Sequence, residues 1–202
     1  VHANCTAAKL SPRDAEARNS LGRTLHKVGK HAEAINNYNK AIEIKPDFFE
    51  AFYNLANILY DIGRYEEAIA SYNKVIKLKP DIAKVYYNLG NTLNNLDKHE
   101  EAISSYNRAI ELKPDYTNAY YNRGNTLNNL ENREEAINNY KKAIELEPNY
   151  VEVHYNLGIA LNELGENGEA VNSYGKAIKL NPDFTEAYNN LGVALNALGK
   201  HE

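Results

Sequence analysis

The sequence predicts an all-α solenoid built from antiparallel helix pairs, and two repeating patterns predict it. All six prolines of the 202-residue chain recur at one interval of 34 residues, at Pro12, Pro46, Pro80, Pro114, Pro148 and Pro182. Within each interval, apolar residues recur twice at helical spacing. A period of this length is typical of repeat proteins in which each repeat buries its apolar face against the next one.

The repeat at residues 83–116 shows why two helices are expected in each interval. In its first half, one face is formed by positions i, i+3, i+4 and i+7, which are Tyr86, Leu89, Gly90 and Leu93. The second half has a further apolar face at Ala102, Tyr106, Ala109 and Ile110. This spacing indicates amphipathic helices. The second helix is expected to end near the proline, which a helix interior excludes.

The helix ends carry their own signals. Glycine follows the first helix in several repeats, at Gly29, Gly63, Gly165 and Gly199, as is typical of a helix C-terminus. Asp115 follows the proline of its repeat, and we expect its carboxylate to cap the next helix by accepting its free N–H groups.

The repeats are expected to form a single array over residues 1–202. The complete repeats are residues 15–48, 49–82, 83–116, 117–150 and 151–184. Residues 1–14 are interpreted as the tail of a preceding second helix, and residues 185–202 as a partial repeat. The chain has no methionine, so we expect Val1 to be a cut point within a longer protein.

Small residues recur where helices are expected to approach closely. One position of the second helix is always alanine in the complete repeats: Ala34, Ala68, Ala102, Ala136 and Ala170. One position of the first helix is glycine at Gly22, Gly90, Gly124, Gly158 and Gly192, with Ala56 in the remaining repeat. Glycine costs a helix roughly 1 kcal/mol relative to alanine. Its recurrence therefore predicts tight packing at this position.

Composition excludes several functions. The net charge of −4 gives no basic surface for a phosphate backbone, so we expect no nucleic-acid partner. No apolar run approaches the roughly 18 residues of a membrane-spanning helix, so we expect no membrane insertion. With one cysteine and six histidines, no residues stand at metal-ligand or nucleophile–base spacing. We predict no catalytic residue, no metal and no cofactor, and a cytoplasmic location is favoured.

These motifs identify a resemblance. The 34-residue period, the run of aromatic–x–x–Leu–Gly at Tyr86–Gly90, the later Ala–x–x–x–Tyr at Ala102–Tyr106 and the final proline resemble the tetratricopeptide repeat. The resemblance covers essentially the whole chain. It implies a right-handed superhelix whose first helices line a concave groove, and a function in binding protein partners. His154 and Arg18 depart from the aromatic position of the pattern, and Arg123 departs from its leucine position.

One row of polar residues is the candidate binding site. We call the asparagine ladder the residues that recur every 34 residues on the exposed side of the first helices: Asn54, Asn88, Asn122, Asn156 and Asn190. Further asparagines flank it at Asn57, Asn91 and Asn125, and tyrosines that could stack on ligand side chains stand at Tyr53, Tyr87, Tyr121 and Tyr155. A carboxamide presents a donor and an acceptor side by side, which matches the backbone of an extended peptide. The alternative is a solvated row without a ligand.

The ladder resembles that of the superhelix in O-linked N-acetylglucosamine transferases, which holds substrate polypeptides. It therefore leaves open that the chain is the substrate-recognition arm of a larger glycosyltransferase. A second alternative is end-to-end self-association through Leu191, Leu195 and Leu198 of the last repeat. The Lys–Asn–Arg clamp with which some tetratricopeptide co-chaperones bind acidic C-termini is incomplete, because only Asn54 and Lys84 fit it. That class of partner is disfavoured.

Overall fold

A computed structural model describes residues 14–199 of the chain. The described residues form eleven α-helices and no strand. The helices are α1 Ala15–Lys27, α2 His31–Ile44, α3 Phe49–Asp61, α4 Tyr65–Leu78, α5 Ala83–Asn94, α6 His99–Leu112, α7 Thr117–Asn129, α8 Arg133–Leu146, α9 Val151–Glu163, α10 Asn167–Leu180 and α11 Thr185–Ala197. The predicted all-α class is confirmed. The expectation for residues 1–14 falls almost wholly outside the described residues, as do His2, Cys5 and the end of the partial repeat.

The described residues divide into two compact units, unit 1 with residues 14–98 and unit 2 with residues 99–199. Within unit 1, α1 packs on α2, and α3 packs on α4. Among the first helices of the repeats, α1 contacts α3, and α3 contacts α5. Unit 2 repeats this arrangement with the pairs α7–α8 and α9–α10 and with the first helices α7, α9 and α11. In each unit the first helices therefore share one face, which we call the first-helix face.

Each first helix ends in a turn that folds the chain back on itself. Gly29, Gly63, Gly165 and Gly199 occupy this turn with φ between 66° and 82°. Asp97 and Glu131 adopt the same left-handed conformation, with φ of 56° and 60°. Left-handed backbone is strained for most residues and easy for glycine, so the predicted glycine C-termini are confirmed.

The core consists of the recurring small residues and the tyrosines that pack on them. The alanines of the second helices are fully buried, and Tyr38, Tyr72, Tyr106, Tyr140 and Tyr174 are at most 1% exposed. A Cβ atom added to Gly124 would lie 2.7 Å from Cε1 of Tyr140, and one added to Gly158 would lie 2.6 Å from Cε1 of Tyr174. The predicted tight packing is confirmed there and at Gly22. It is wrong at Gly192, which has nothing within 4 Å.

The predicted aspartate cap is wrong. Helix α7 begins after Tyr116 and not after Asp115, and no side-chain oxygen at this N-cap accepts a hydrogen bond from the free N–H groups of the helix. An aromatic or aliphatic residue occupies the equivalent N-cap at Phe48, Ile82, Tyr150 and Phe184. Packing is the reason: the ring of Tyr150 lies 5.2 Å from that of Tyr121, and the ring of Phe184 lies 4.7 Å from that of Tyr155. None of the described helices is both long and apolar enough to span a membrane.

Candidate peptide-binding face

The asparagine ladder lies on the first-helix face, but its members are half-buried and not exposed as the sequence predicted. In unit 1, the Nδ2 of Asn88 donates to the hydroxyl of Tyr53 at 3.2 Å and to Oδ1 of Asn57 at 3.1 Å. The hydroxyl of Tyr72 donates to the same Oδ1 at 2.7 Å. Four side chains from three helices thus form one hydrogen-bonded network between successive repeats.

Unit 2 contains the same network. The Nδ2 of Asn156 donates to the hydroxyl of Tyr121 at 3.1 Å and to Oδ1 of Asn125 at 2.9 Å. The hydroxyl of Tyr140 donates to that Oδ1 at 2.9 Å. Because Asn156 faces two oxygen atoms, its carboxamide can satisfy both only with its nitrogen inward. Asn88 and Asn156 therefore each join their own first helix to the preceding first helix of the same unit.

The ends of the ladder make fewer of these bonds. Asn190 donates to the hydroxyl of Tyr155 at 3.0 Å, but Ile159 replaces the acceptor that Asn125 supplies one repeat earlier. Asn54 donates to Oδ1 of Asn19 at 2.9 Å. Asn122, Tyr87 and Asn91 are half-buried at the equivalent positions. Hydrogen bonding between repeats is thus a sufficient structural reason for asparagine to recur there.

The groups left for a ligand differ from those predicted. Both N–H groups of Asn88 and of Asn156 are engaged within the protein. Their Oδ1 atoms accept no hydrogen bond from any described residue. The hydroxyls of Tyr53 and Tyr121 accept from the ladder, and among the described residues they donate to none. The networks at Asn88 and at Asn156 therefore each offer an asparagine acceptor beside a tyrosine donor, rather than both from one carboxamide.

A cavity opens beside each network. The Asn57 cavity of unit 1 has a volume of about 330 Å³ and is lined by Tyr53, Asn57, Tyr60, Asp61, Tyr72, Lys84, Asn88 and Asn91. The Asn125 cavity of unit 2 has a volume of about 220 Å³ and is lined by Asn125, Asn128, Asn129, Tyr140, Asn156 and Ile159. Three of the four network positions line both cavities, whereas Tyr60 and Asp61 are replaced by Asn128 and Asn129. Sequence reasoning missed Tyr60 and Asp61, because they break the asparagine pattern that drew attention to this face.

Burial controls the electrostatics of the tyrosines. Loss of solvent raises the pKa of Tyr38 and of Tyr174 to about 12, and it raises the pKa values of Tyr72 and Tyr140 further still. Burial disfavours the charged phenolate, so these residues stay neutral. The hydroxyl of Tyr38 is buried without a hydrogen-bond partner, since Arg23 stands where Asn57 and Asn125 stand in later repeats.

Two arginines depart from the repeat pattern, and an asparagine accompanies each. The Nε of Arg123 donates to Oδ1 of Asn139 at 2.7 Å, and Nη1 of Arg18 donates to Oδ1 of Asn37 at 3.3 Å. Both asparagines also donate to the carbonyl four residues earlier. The other complete repeats have a serine there that makes only this backbone bond, at Ser71, Ser105 and Ser173. Burial lowers the pKa of Arg123, whose guanidinium carbon lies 5.6 Å from the ring centroid of Tyr120.

The described histidines have structural partners. His154 is buried, as predicted, and its Nε2 lies 2.8 Å from the carbonyl of Pro148, in place of the hydroxyl of Tyr86 that bonds to Pro80. The Nε2 of His26 lies 2.9 Å from Oδ2 of Asp61. Within residues 14–199 no group of three or more His, Cys, Asp or Glu residues could hold a metal ion. The absence of catalytic residues and cofactors stays a prediction.

Comparison with known families decides the identity of the fold. A family model described as TPR repeat matches residues 22–63, 56–97, 126–165 and 158–199, and one described as tetratricopeptide repeat matches residues 83–116. The chain belongs to the tetratricopeptide repeat family. Membership makes it a protein-interaction module of stacked helix pairs. A search of curated proteins gives no significant match.

Solved tetratricopeptide repeat structures resemble the whole chain. YrrB, described as a TPR protein with an unusual peptide-binding site, is 25% identical and has a TM-score of 0.79, with 93% of this chain and 96% of YrrB covered. MamA is 29% identical with a TM-score of 0.78, over 82% of this chain and 96% of MamA. A repeat protein from Parabacteroides merdae, at 20% identity and a TM-score of 0.81, covers 92% of this chain and 74% of its own and shows the fold alone. The predicted tetratricopeptide solenoid class is confirmed.

Proposed function

We propose that this chain is a non-catalytic module that binds an extended polypeptide segment along its first-helix face, by hydrogen bonds to the peptide backbone. The observation that carries the proposal is the repeated pairing of an unused asparagine acceptor with an unused tyrosine donor, at Asn88 with Tyr53 and at Asn156 with Tyr121. An extended backbone presents N–H and C=O groups that match such a pair. The peptide-binding site described for YrrB supports a ligand of this class.

The network prepares these groups for binding. The two hydrogen bonds that hold each ladder carboxamide also fix the direction of its Oδ1, and the tyrosine ring is held against the buried tyrosine of its own repeat, 6.3 Å away in both units. Groups that are already ordered lose little entropy when a ligand binds. Asn54, Asn122, Asn190, Asn57, Asn91, Asn125, Tyr87 and Tyr155 complete the proposed face.

Selection of random dodecapeptides displayed on phage tests the proposal, with the purified chain as bait. We expect enriched peptides that bind with micromolar affinity, and at least a tenfold loss in an Asn88→Ala, Asn156→Ala double variant. The matched control is Asn36→Ala, Asn138→Ala, which removes two exposed asparagines from second helices and should leave the affinity unchanged. Circular dichroism must show equal helicity.

A chemical variant of the selected peptide separates backbone recognition from side-chain recognition. N-methylation removes a backbone donor and leaves the side chains intact, so N-methylation at the contacted residues should weaken binding about tenfold or more for each pair lost. The proposal is wrong if no peptide is enriched, or if the N-methylated peptides bind as tightly as the parent.

Self-association is the second candidate, and the exposed face of α11 favours it. Tyr188 is 50% exposed and Val193 is 58% exposed, whereas the equivalent Tyr120 of unit 2 is half-buried. Exposed apolar surface of this kind favours association between copies. Sedimentation over a hundredfold range of concentration tests it: a rising mass that Val193→Lys abolishes supports association, and a constant monomer mass excludes it.

A further inference from the structure

The Asn57 cavity differs from the Asn125 cavity in the side chains beyond the shared network. Tyr60 and the carboxylate of Asp61 line the first, where the uncharged Asn128 and Asn129 line the second. Because the network is the same in both units, a difference in the ligand side chain that fits each cavity must come from these lining residues.

Asp61 is a fixed anionic group at this cavity. Its Oδ2 lies 2.9 Å from Nε2 of His26, and about half of its side-chain surface remains exposed. The hydroxyl of Tyr60 accepts from Nδ2 of Asn95 at 3.1 Å, and the Tyr60 ring packs on Tyr65 at 5.7 Å. Carboxylate and rings are therefore held in place before any ligand arrives.

We propose that the Asn57 cavity holds a lysine or arginine side chain of the bound polypeptide, with its charged head on Asp61 and its stem against Tyr53 and Tyr60. The proposal rests on the proposed function, because the ligand's backbone must first be held on the first-helix face. A cation is attracted both to a carboxylate and to the face of an aromatic ring. A cavity of about 330 Å³ suits one long side chain.

Lys84 lines the same cavity and carries a charge opposite to that of Asp61. Its side chain is exposed and makes no hydrogen bond or ion pair with any described residue. Nothing fixes its ammonium group, whereas His26 fixes Asp61. An entering cation gains the preordered carboxylate and rings, while Lys84 can turn into solvent. An entering anion would gain only Lys84 and would face both Asp61 and the electron-rich rings.

The test uses the peptides enriched by phage selection on the full chain. We expect one position enriched in lysine or arginine, and a labelled peptide with lysine there should bind about five- to tenfold more tightly than its norleucine analogue. Asp61→Asn retains an oxygen for His26 and should reduce that ratio to about one. Asp47→Asn is the matched control, since it removes one exposed carboxylate of unit 1 outside the cavity and should leave the ratio unchanged.

Two further variants are expected to increase the preference for a basic side chain. Lys84→Ala should strengthen binding of the lysine peptide about twofold. If this substitution leaves the lysine peptide unaffected and weakens only the binding of a glutamate peptide, the cavity binds anions instead. Asn128→Tyr with Asn129→Asp gives the Asn125 cavity the tyrosine and the carboxylate of the first one, and it should add a second basic preference. Enriched peptides without any basic preference would overturn this inference and leave the proposed function standing. The absence of any enriched peptide would overturn both.

Discussion

The networks around Asn57 and Asn125 are built alike, and the cavities beside them are not. In both units a ladder asparagine donates to a tyrosine hydroxyl and to the same carboxamide oxygen, and the corresponding distances differ by at most 0.2 Å. Beyond the networks, Asp61 and Lys84 charge the lining of one cavity, while the lining of the other is uncharged. The repeat therefore determines how successive helices are joined, whereas departures from the repeat determine which charged groups line each cavity.

The largest expected effect unfolds both units together, because each unit contains buried tyrosines, among them Tyr38 in unit 1 and Tyr174 in unit 2. Burial raises the pKa of Tyr38 and Tyr174 from the ordinary 10.0 to about 12 in the folded chain. Folding therefore favours the neutral phenol. Its contribution to stability is complete below pH 10 and is lost as the pH rises through about 12. We expect cooperative unfolding in this window, measured by circular dichroism together with tyrosinate absorbance. Ionisation of all tyrosines near pH 10 with helicity intact would contradict this prediction.

The next effect concerns the residue on which each buried tyrosine packs. Ala56 occupies this position in one repeat of unit 1, whereas unit 2 has Gly124 and Gly158 there. A Cβ at Gly158 would lie 2.6 Å from the ring of Tyr174, so Gly158→Ala should reduce the free energy of unfolding by about 1–2 kcal/mol despite better helix propensity. Gly192→Ala is the control. It meets nothing within 4 Å and should stabilise by up to about 1 kcal/mol. If Gly158→Ala and Gly192→Ala change the free energy of unfolding equally in chemical denaturation, the ring of Tyr174 moves aside for the added methyl group.

A smaller effect tests the shared hydrogen bond directly. Tyr72 and Tyr140 donate to Asn57 and Asn125, whereas Ile159 offers Tyr174 no acceptor. Tyr72→Phe and Tyr140→Phe should each cost about 1 kcal/mol of unfolding free energy. Tyr174→Phe has the same change in volume and should cost close to nothing. If the three substitutions have the same effect, the hydroxyls contribute through burial and not through the network.

The smallest effect concerns the arginine of unit 2. Replacing Arg123 with the leucine of other repeats removes a guanidinium but leaves Asn139 without its donor. The double variant Arg123→Leu, Asn139→Ser reproduces the pattern of neighbouring repeats. We expect its free energy of unfolding to lie within about 0.5 kcal/mol of that of the parent chain and above that of the Arg123→Leu variant. The reason is that well-packed apolar residues replace half-buried charges at little cost. Additive effects of the two substitutions would show that the pair is not coupled.

Periodicity predicted most of the fold, because each helix buries one face and leaves a local pattern. The glycine turns, the buried tyrosines and the close contacts at Gly124 and Gly158 all followed from it. The cap at Asp115 did not, because α7 begins one residue later, after Tyr116, whose side chain makes no cap hydrogen bond. The ladder was found by its spacing, but its burial and the use of its nitrogen atoms were not predicted.

The sequence by itself determined the 34-residue repeat, its two helices, and which residues recur on each face. Those features depend on burial along one helix, whose period can be counted. Tertiary structure alone decided that Asn88 joins Tyr53 to Asn57, and that Asp61 comes beside Tyr60 and Tyr53 at one cavity. These contacts depend on the offset between neighbouring first helices. That offset cannot be derived from the spacing of residues along one helix, because it is fixed by how the tyrosines, alanines and glycines pack between the helices.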